Sequence, residues 1–245
     1  MSPRAPAATS APAALAHVRV QGLGLAHGDR WLFRDLDLTL PRGRFLAVVG
    51  PSGVGKSTFL SCLAGLTAPT TGSITFSCPA ARLYTPADYR RRAGVVFQNF
   101  LLVPTATVLS NTLCGRLGRY QWWQTLFGFP GRERGAALAL LDDLGLAAHA
   151  HRWSGETSGG EQQRTALARA LWQEPELILA DEPVSQLDGY LTGRVLGRLR
   201  LEADRRSCTI ICVLHQADLV ERFADLVLSF DPQRPGGWKV REARR

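Results

Sequence analysis

Residues 45–58 read FLAVVGPSGVGKST. The first five are a short apolar run of the kind that forms a strand buried on both faces of a parallel sheet. The last nine, GPSGVGKST at 50–58, fit G-x-x-x-x-G-K-[ST] at every position. Beyond them, Phe59, Leu60, Leu63 and Leu66 fall at helical spacing, so the glycine-rich turn joins a strand to a helix. A turn in that setting lets Gly50, Pro51, Ser52, Gly53, Val54 and Gly55 bring backbone N–H groups close to phosphate oxygens, and the helix N-terminus adds positive potential. Lys56 would reach the β- and γ-phosphates, Ser57 would hold Mg²⁺, and Thr58 completes the motif. The expectation is a nucleotide site.

A second apolar run, LILA, ends in two adjacent acids within ELILADEP, residues 176–183. A strand ending at the same sheet edge as the phosphate loop would put Asp181 near Mg²⁺ and Glu182 near an attacking water. Between the two strands stands TSGGEQQRTALARAL, residues 157–171. Ser158 and Glu161 form an S-x-x-E capping box, and Ala166, Leu167, Ala170 and Leu171 mark one apolar helix face. Gly159 and Gly160 leave the first turn without side chains, so its bare N–H groups could meet a second anion.

In order and spacing, these motifs resemble those of the ATP-binding cassette (ABC) ATPases: the phosphate loop, SGGEQQR, LILADEP, VSQLD at 184–188, Gln98 in VVFQNF and His215 in VLHQAD. The resemblance covers about residues 17–231. It implies that Gln98 begins the loop between the core and a helical subdomain and touches Mg²⁺ or water. It also implies that Ser158 and Gly160 contact the γ-phosphate of ATP held by the opposite subunit, that His215 contacts the γ-phosphate in its own, and that Asp188 helps join the two sites. Thr157 stands where the family usually has Leu, and Glu161 where it often has Gln. The residue in the place of the family's adenine-stacking aromatic is His27, with Trp31 as the other candidate.

The chain has 245 residues and a net charge of +8, carried by 29 basic residues of which only Lys56 and Lys239 are lysine. A basic surface suits an anionic membrane face or nucleic acid without choosing between them. No apolar run approaches the roughly 18 residues that span a bilayer. The opening MSPRAPAATSAPAALA, residues 1–16, lacks the continuous hydrophobic segment of a secretory signal and is expected to be a disordered tail. The five cysteines form no C-x-x-C pair, so neither a metal nor a disulfide framework is indicated.

RYQWWQTLFGF, residues 119–129, concentrates five aromatic residues. Base stacking would need interleaved basic groups, and only Arg116 and Arg119 lie close by. Gly128, Pro130 and Gly131 cut the segment too short for an interfacial membrane helix. Packing inside a helical subdomain and docking against a permease remain, with Leu126 and one of Trp122 and Trp123 expected inward and the other Trp outward. The longer segment, with NTLCGRLG and then WWQTLFG, resembles that of phosphonate-importer ATPases, as does Gln216 after His215.

The expected fold is α/β: a P-loop NTPase (ABC ATPase) core with a mainly parallel sheet, an antiparallel β-subdomain and a helical insertion at about 100–165, in one domain over 17–245. Parallel strands are expected at 45–49, 94–97, 177–180 and 209–214, and antiparallel ones at 17–25, 36–40 and 73–76. By resemblance, the function is ATP hydrolysis driving import of phosphonates or related phosphorus oxyanions. The implied substrate and cofactor are ATP and Mg²⁺. The implied partners are a second copy bound head to tail, integral-membrane permease subunits and, through them, a periplasmic or lipid-anchored substrate-binding protein, at the cytoplasmic face of the inner membrane. A different cargo, or a soluble ATPase acting on nucleic acid, is the alternative; the single cassette without a coiled-coil insertion speaks against the latter, and no nucleic acid is expected.

Overall fold

The computed structural model describes residues 16–244 apart from 29, 81, 126, 127 and 232–235, and the backbone but not the side chains of Ala16 and Trp122. The tail expected at 1–16 lies outside the described residues except for Ala16, which opens the first strand.

Six strands form the central sheet. In chain order they are β3 (Phe45–Val49), β5 (Ala93–Val96), β6 (Leu177–Ala180), β7 (Thr209–Val213), β8 (Leu226–Phe230) and β9 (Trp238–Glu242). Their spatial order is β5-β6-β7-β3-β8-β9, with every pairing parallel except β8 with β9. The three remaining strands, β1 (Ala16–His27), β2 (Arg30–Pro41) and β4 (Thr71–Phe76), make an antiparallel sheet in the order β2-β1-β4. The β1–β2 hairpin therefore runs farther toward its tip than the expected strands at 17–25 and 36–40. Strands β8 and β9 are additional to the expected set. β9 alternates Trp and Val with Lys, Arg and Glu, the charged dress of an edge strand.

Alternation along the parallel strands divides the core into two layers. Phe45 and Ala47, Ile178 and Ala180, and Ile210 and Cys212 face one side. There they meet α5 (Gly159–Trp172), α6 (Gly189–Arg206) and α7 (Ala217–Phe223), while α3 (Val108–Leu113) and α4 (Gly131–Asp143) continue the same cluster. Leu46 and Val48, Leu177 and Leu179, and Ile211 and Val213 face the other side. That side packs on Phe59, Leu60 and Leu63 of α1 (Lys56–Leu63) and on the antiparallel sheet, with Tyr89 of α2 (Pro86–Arg92) closing its edge. The result is the three-layer α/β arrangement with its β-subdomain and helical insertion.

The aromatic segment is not an α-helix. Residues 122–124 form a single 3₁₀ turn whose capping box joins Gln121 to Gln124. Phe129 packs edge-to-face on Tyr120, centroids 5.9 Å apart, and rests against the helical side of the core. Trp123 faces outward, 56% exposed. The inward place expected for Leu126 lies outside the described residues, as does the Trp122 side chain. Arg116 and Arg119 are turned to internal use. Arg116 stacks on Trp172 at 4.1 Å and pairs with Glu133 and Glu174, and Arg119 also pairs with Glu174.

Candidate active site

Because β5, β6, β7 and β3 are parallel neighbours, the residues after them emerge at one sheet edge: Gln98 after β5, Asp181 and Glu182 after β6, His215 after β7 and the phosphate loop after β3. Such an edge is where open α/β sheets hold ligands.

Gly55 caps α1 with φ 110°, a conformation that L side chains rarely adopt, and a Cβ there would stand 3.2 Å from the Leu32 Cβ. No side chain caps α1 and no acid lies in its first turn, so its N–H groups point into the loop 50–55 without a competing carboxylate. Lys56 is buried and its Nζ donates to the carbonyls of Gly50 and Pro51, each at 2.9 Å. It is thus folded back over the cradle that an anion would fill. Beside the loop lies a cleft of about 200 Å³ lined by Arg30, Trp31, Leu32 and residues 51–54. Trp31 is its aromatic wall. His27, at the exposed end of β1, does not line it.

Asp181 is anchored by its N–H, which donates to Val96 O at 3.0 Å. Burial raises the carboxyl pKa above the ordinary aspartate value, and a hydrogen bond from Ser57 opposes the rise. Its Oδ1 is buried and meets no hydrogen-bond partner among the described residues. A buried carboxylate oxygen left in that state beside a serine hydroxyl fits a hard cation completed by phosphate and water oxygens. Among the described residues there is no cluster of three or more His, Cys, Asp or Glu side chains that could hold a metal unaided.

Glu182 takes φ 52°, in the left-handed region, and its Oε1 lies 2.6 Å from His215 Nε2. The turn is held from the helical side. Gln163 on α5 donates through Nε2 to Glu182 O at 2.7 Å and to Ser185 Oγ at 3.2 Å, while its Oε1 accepts from Gln186 N at 3.4 Å. Gln163 was not singled out by sequence reading. Its only signal is polarity at a buried position of an otherwise apolar helix face, 2% exposed.

The first turn of α5 is a self-contained unit. Ser158 N donates to Glu161 Oε2 at 2.8 Å, Glu161 N donates to Ser158 Oγ at 3.4 Å, and His149 lies 3.3 Å from Glu161 Oε1. Burial works to raise the Glu161 pKa, but the hydrogen bonds from Ser158 and the charge of His149 hold it below the ordinary value. Thr157, in place of the family's Leu, is buried and donates to Ser154 O at 2.8 Å. At Gly160 the backbone of a neighbour stands close, whereas at Gly159 the neighbour is the end of a flexible side chain. A Cβ on Gly159 would overlap the Gln186 amide, and one on Gly160 would come 3.0 Å from Gln186 O. Asp188 caps α6, accepting from Leu191 N at 2.8 Å. The structure thus gathers Gln98, Asp181, Glu182, His215 and the phosphate loop at one edge, and sets Ser158–Glu161 at the head of a separate helix.

The family described as ABC transporter matches residues 33–185. A phosphonates import ATP-binding protein of Trichormus variabilis is 38% identical over 206 residues, 84% of this chain and 84% of that protein. The protein of the same name in Chromohalobacter salexigens is 41% identical over 203 residues, 81% of this chain and 74% of that protein. Among solved structures, a dimeric ATP-binding cassette in a post-hydrolysis state, bound to ADP and Pi, superposes with a TM-score of 0.78 at 27% identity, covering 93% of this chain and 99% of that one.

Proposed function

The chain belongs to the ABC transporter family, and from that premise we propose that it is the ATP-hydrolysing subunit of an importer for phosphonates or related phosphorus oxyanions. The observation that carries the catalytic half of the reading is the Glu182–His215 pair, 2.6 Å apart, at the sheet edge that also holds Lys56. The names of the relatives support the cargo.

Adenine stacks on Trp31 in the cleft beside the phosphate loop. Lys56 binds the β- and γ-phosphate oxygens, and the N–H groups at the start of α1 bind the same charge. Ser57 and Asp181 hold Mg²⁺, which when bound neutralises charge on the phosphate oxygens. Gln98 positions the attacking water, and Glu182 accepts its proton as the water oxygen bonds to the γ-phosphorus and the bond to the ADP oxygen breaks. His215, 2.6 Å from the Glu182 carboxylate, stands where it contacts the γ-phosphate and orients that base. Ser158 and the N–H groups of Gly159 and Gly160 complete the site of the opposite subunit in a head-to-tail dimer, with Asp188 between the two sites.

Among the described residues no helix is long and apolar enough to cross a membrane. The motor acts on integral-membrane permease subunits at the cytoplasmic face, and it is the permease that receives cargo from a substrate-binding protein. The nucleic-acid reading loses its local support, since Arg116 and Arg119 are engaged with Glu133 and Glu174. The test is uptake of a phosphonate, with phosphite and phosphate as competitors, in cells whose own copy carries Lys56→Ala. Loss of phosphonate uptake is expected. Unchanged uptake, with ATPase activity abolished in the purified variant, would discard the cargo and leave the motor.

A further inference from the structure

The loop after Gln98 takes an unfavourable shape that two bonds of its own backbone, Phe100 N to Phe97 O at 3.1 Å and Leu101 N to Asn99 O at 2.6 Å, share with one side chain of α5. Phe100 and Leu101 are consecutive and have φ 57° and 47°. Neither is Gly or Asn, and large side chains avoid this left-handed region. Packing does not explain the conformation at Leu101, which is 53% exposed. What meets the loop is Arg169: its Nη1 donates to Leu101 O at 2.6 Å and its Nη2 to Phe100 O at 2.8 Å. Both are charge-assisted bonds from one planar fork, a geometry that a lysine cannot reproduce. The chain accommodates Arg169 closely, because a Cβ on Gly115 would overlap the Arg169 carbonyl.

α5 also carries the Ser158 cap at its head and Gln163 under the Glu182 turn. One rigid helix therefore touches the opposite-subunit element, the Glu182 turn and the Gln98 loop. We infer that Arg169 is a positioning residue for Gln98: by holding the carbonyls of Phe100 and Leu101 it fixes where Gln98 stands relative to α5, so that Gln98 reaches the nucleotide only with that helix in place. This rests on the role given to Gln98 above.

The experiment is steady-state ATP hydrolysis by the purified full chain, comparing Gln98→Ala, Arg169→Gln, their double variant, Arg169→Lys, and Arg169→Gln combined with Leu101→Asn. Small displacements of a positioned group are costly, so Gln98→Ala and Arg169→Gln are each expected to lower kcat about tenfold while KM for ATP stays within about twofold. The double variant is expected to be no slower than the slower single one, as for residues acting through one contact. Asn tolerates the left-handed region, so Leu101→Asn should return several-fold of the rate lost in Arg169→Gln. Arg169→Lys, keeping the charge without the fork, should fall between parent and Arg169→Gln, and combined with Gln98→Ala it gives the same coupling test if Arg169→Gln does not fold. Losses that multiply, or no rescue by Leu101→Asn, would make Arg169 a purely structural residue and overturn the inference alone. A Gln98→Ala variant with the parent kcat would remove the role of Gln98 itself, and the inference with it.

Discussion

Helices α1 and α5 both begin at glycine-rich turns, yet their first turns are built in opposite ways. α1 has Gly55 as its cap, no side-chain hydrogen bond there and no acid in its first turn. α5 has the reciprocal Ser158–Glu161 box, a glutamate in its first turn and the Gln186 amide lying against Gly159. An uncapped helix end next to a buried lysine attracts anions by itself. A capped end carrying its own carboxylate is a weaker anion site, and on the proposed function it meets phosphate when another subunit brings one. On the function proposed above, the difference gives α1 the lasting nucleotide affinity and α5 a conditional contact.

The sharpest break in that comparison is Lys56→Ala. Removing the ammonium that lies on the Gly50 and Pro51 carbonyls should lower kcat by about two to three orders of magnitude, read as ATPase rate alongside nucleotide affinity by calorimetry. If affinity and rate both stayed within a few-fold of the parent, the α1 end would not be the primary anion site.

A gentler change acts on the other end. Glu161→Gln keeps a capping group but deletes the carboxylate, so the ATP-dependent association of two copies should tighten by about two- to fivefold, the range of one charge at a helix terminus. The same variant has a pH signature. The folded-state pKa of Glu161 lies below its ordinary value of 4.5, so the unfolded chain takes up the proton first. The stabilisation is present above that value and is lost as pH falls through the folded pKa. Thermal melts of parent and variant should differ near neutrality by about 1 kcal/mol or less and converge in acid. Parallel pH profiles would show that the Glu161 charge is not coupled to folding.

The parts of this site carried by the strands were legible in the sequence, because strand periodicity and local motifs report on themselves. Lys56, Asp181 and Glu182 follow apolar runs whose alternation reappears in the two core layers. Ser158 and Glu161 were readable for the same reason, since a capping box lies within four residues. Gln163, Arg169 and Arg116 were not, because each acts on a backbone carbonyl distant in sequence, at Glu182, Leu101 and Trp172. Such contacts leave no period. β9 escaped for a different reason: an edge strand of WKVRE has little apolar content, and its pairing with β8 is set by the core strand. That Trp31 lines the cleft and His27 does not was hidden because it follows from the register of the β1–β2 hairpin, in which Ala26 pairs with Trp31 and His27 with Arg30 at the exposed tip.

The most direct test of two unlike helix ends sharing one phosphate is the association state of Glu182→Gln. Without the base, ATP should bind and persist, so light scattering at saturating ATP and Mg²⁺ should give a dimer that reverts to monomer with ADP and fails to form when Ser158 is also changed to Arg. A Glu182→Gln protein that stays monomeric with ATP bound, or that hydrolyses ATP at the parent rate, would contradict it.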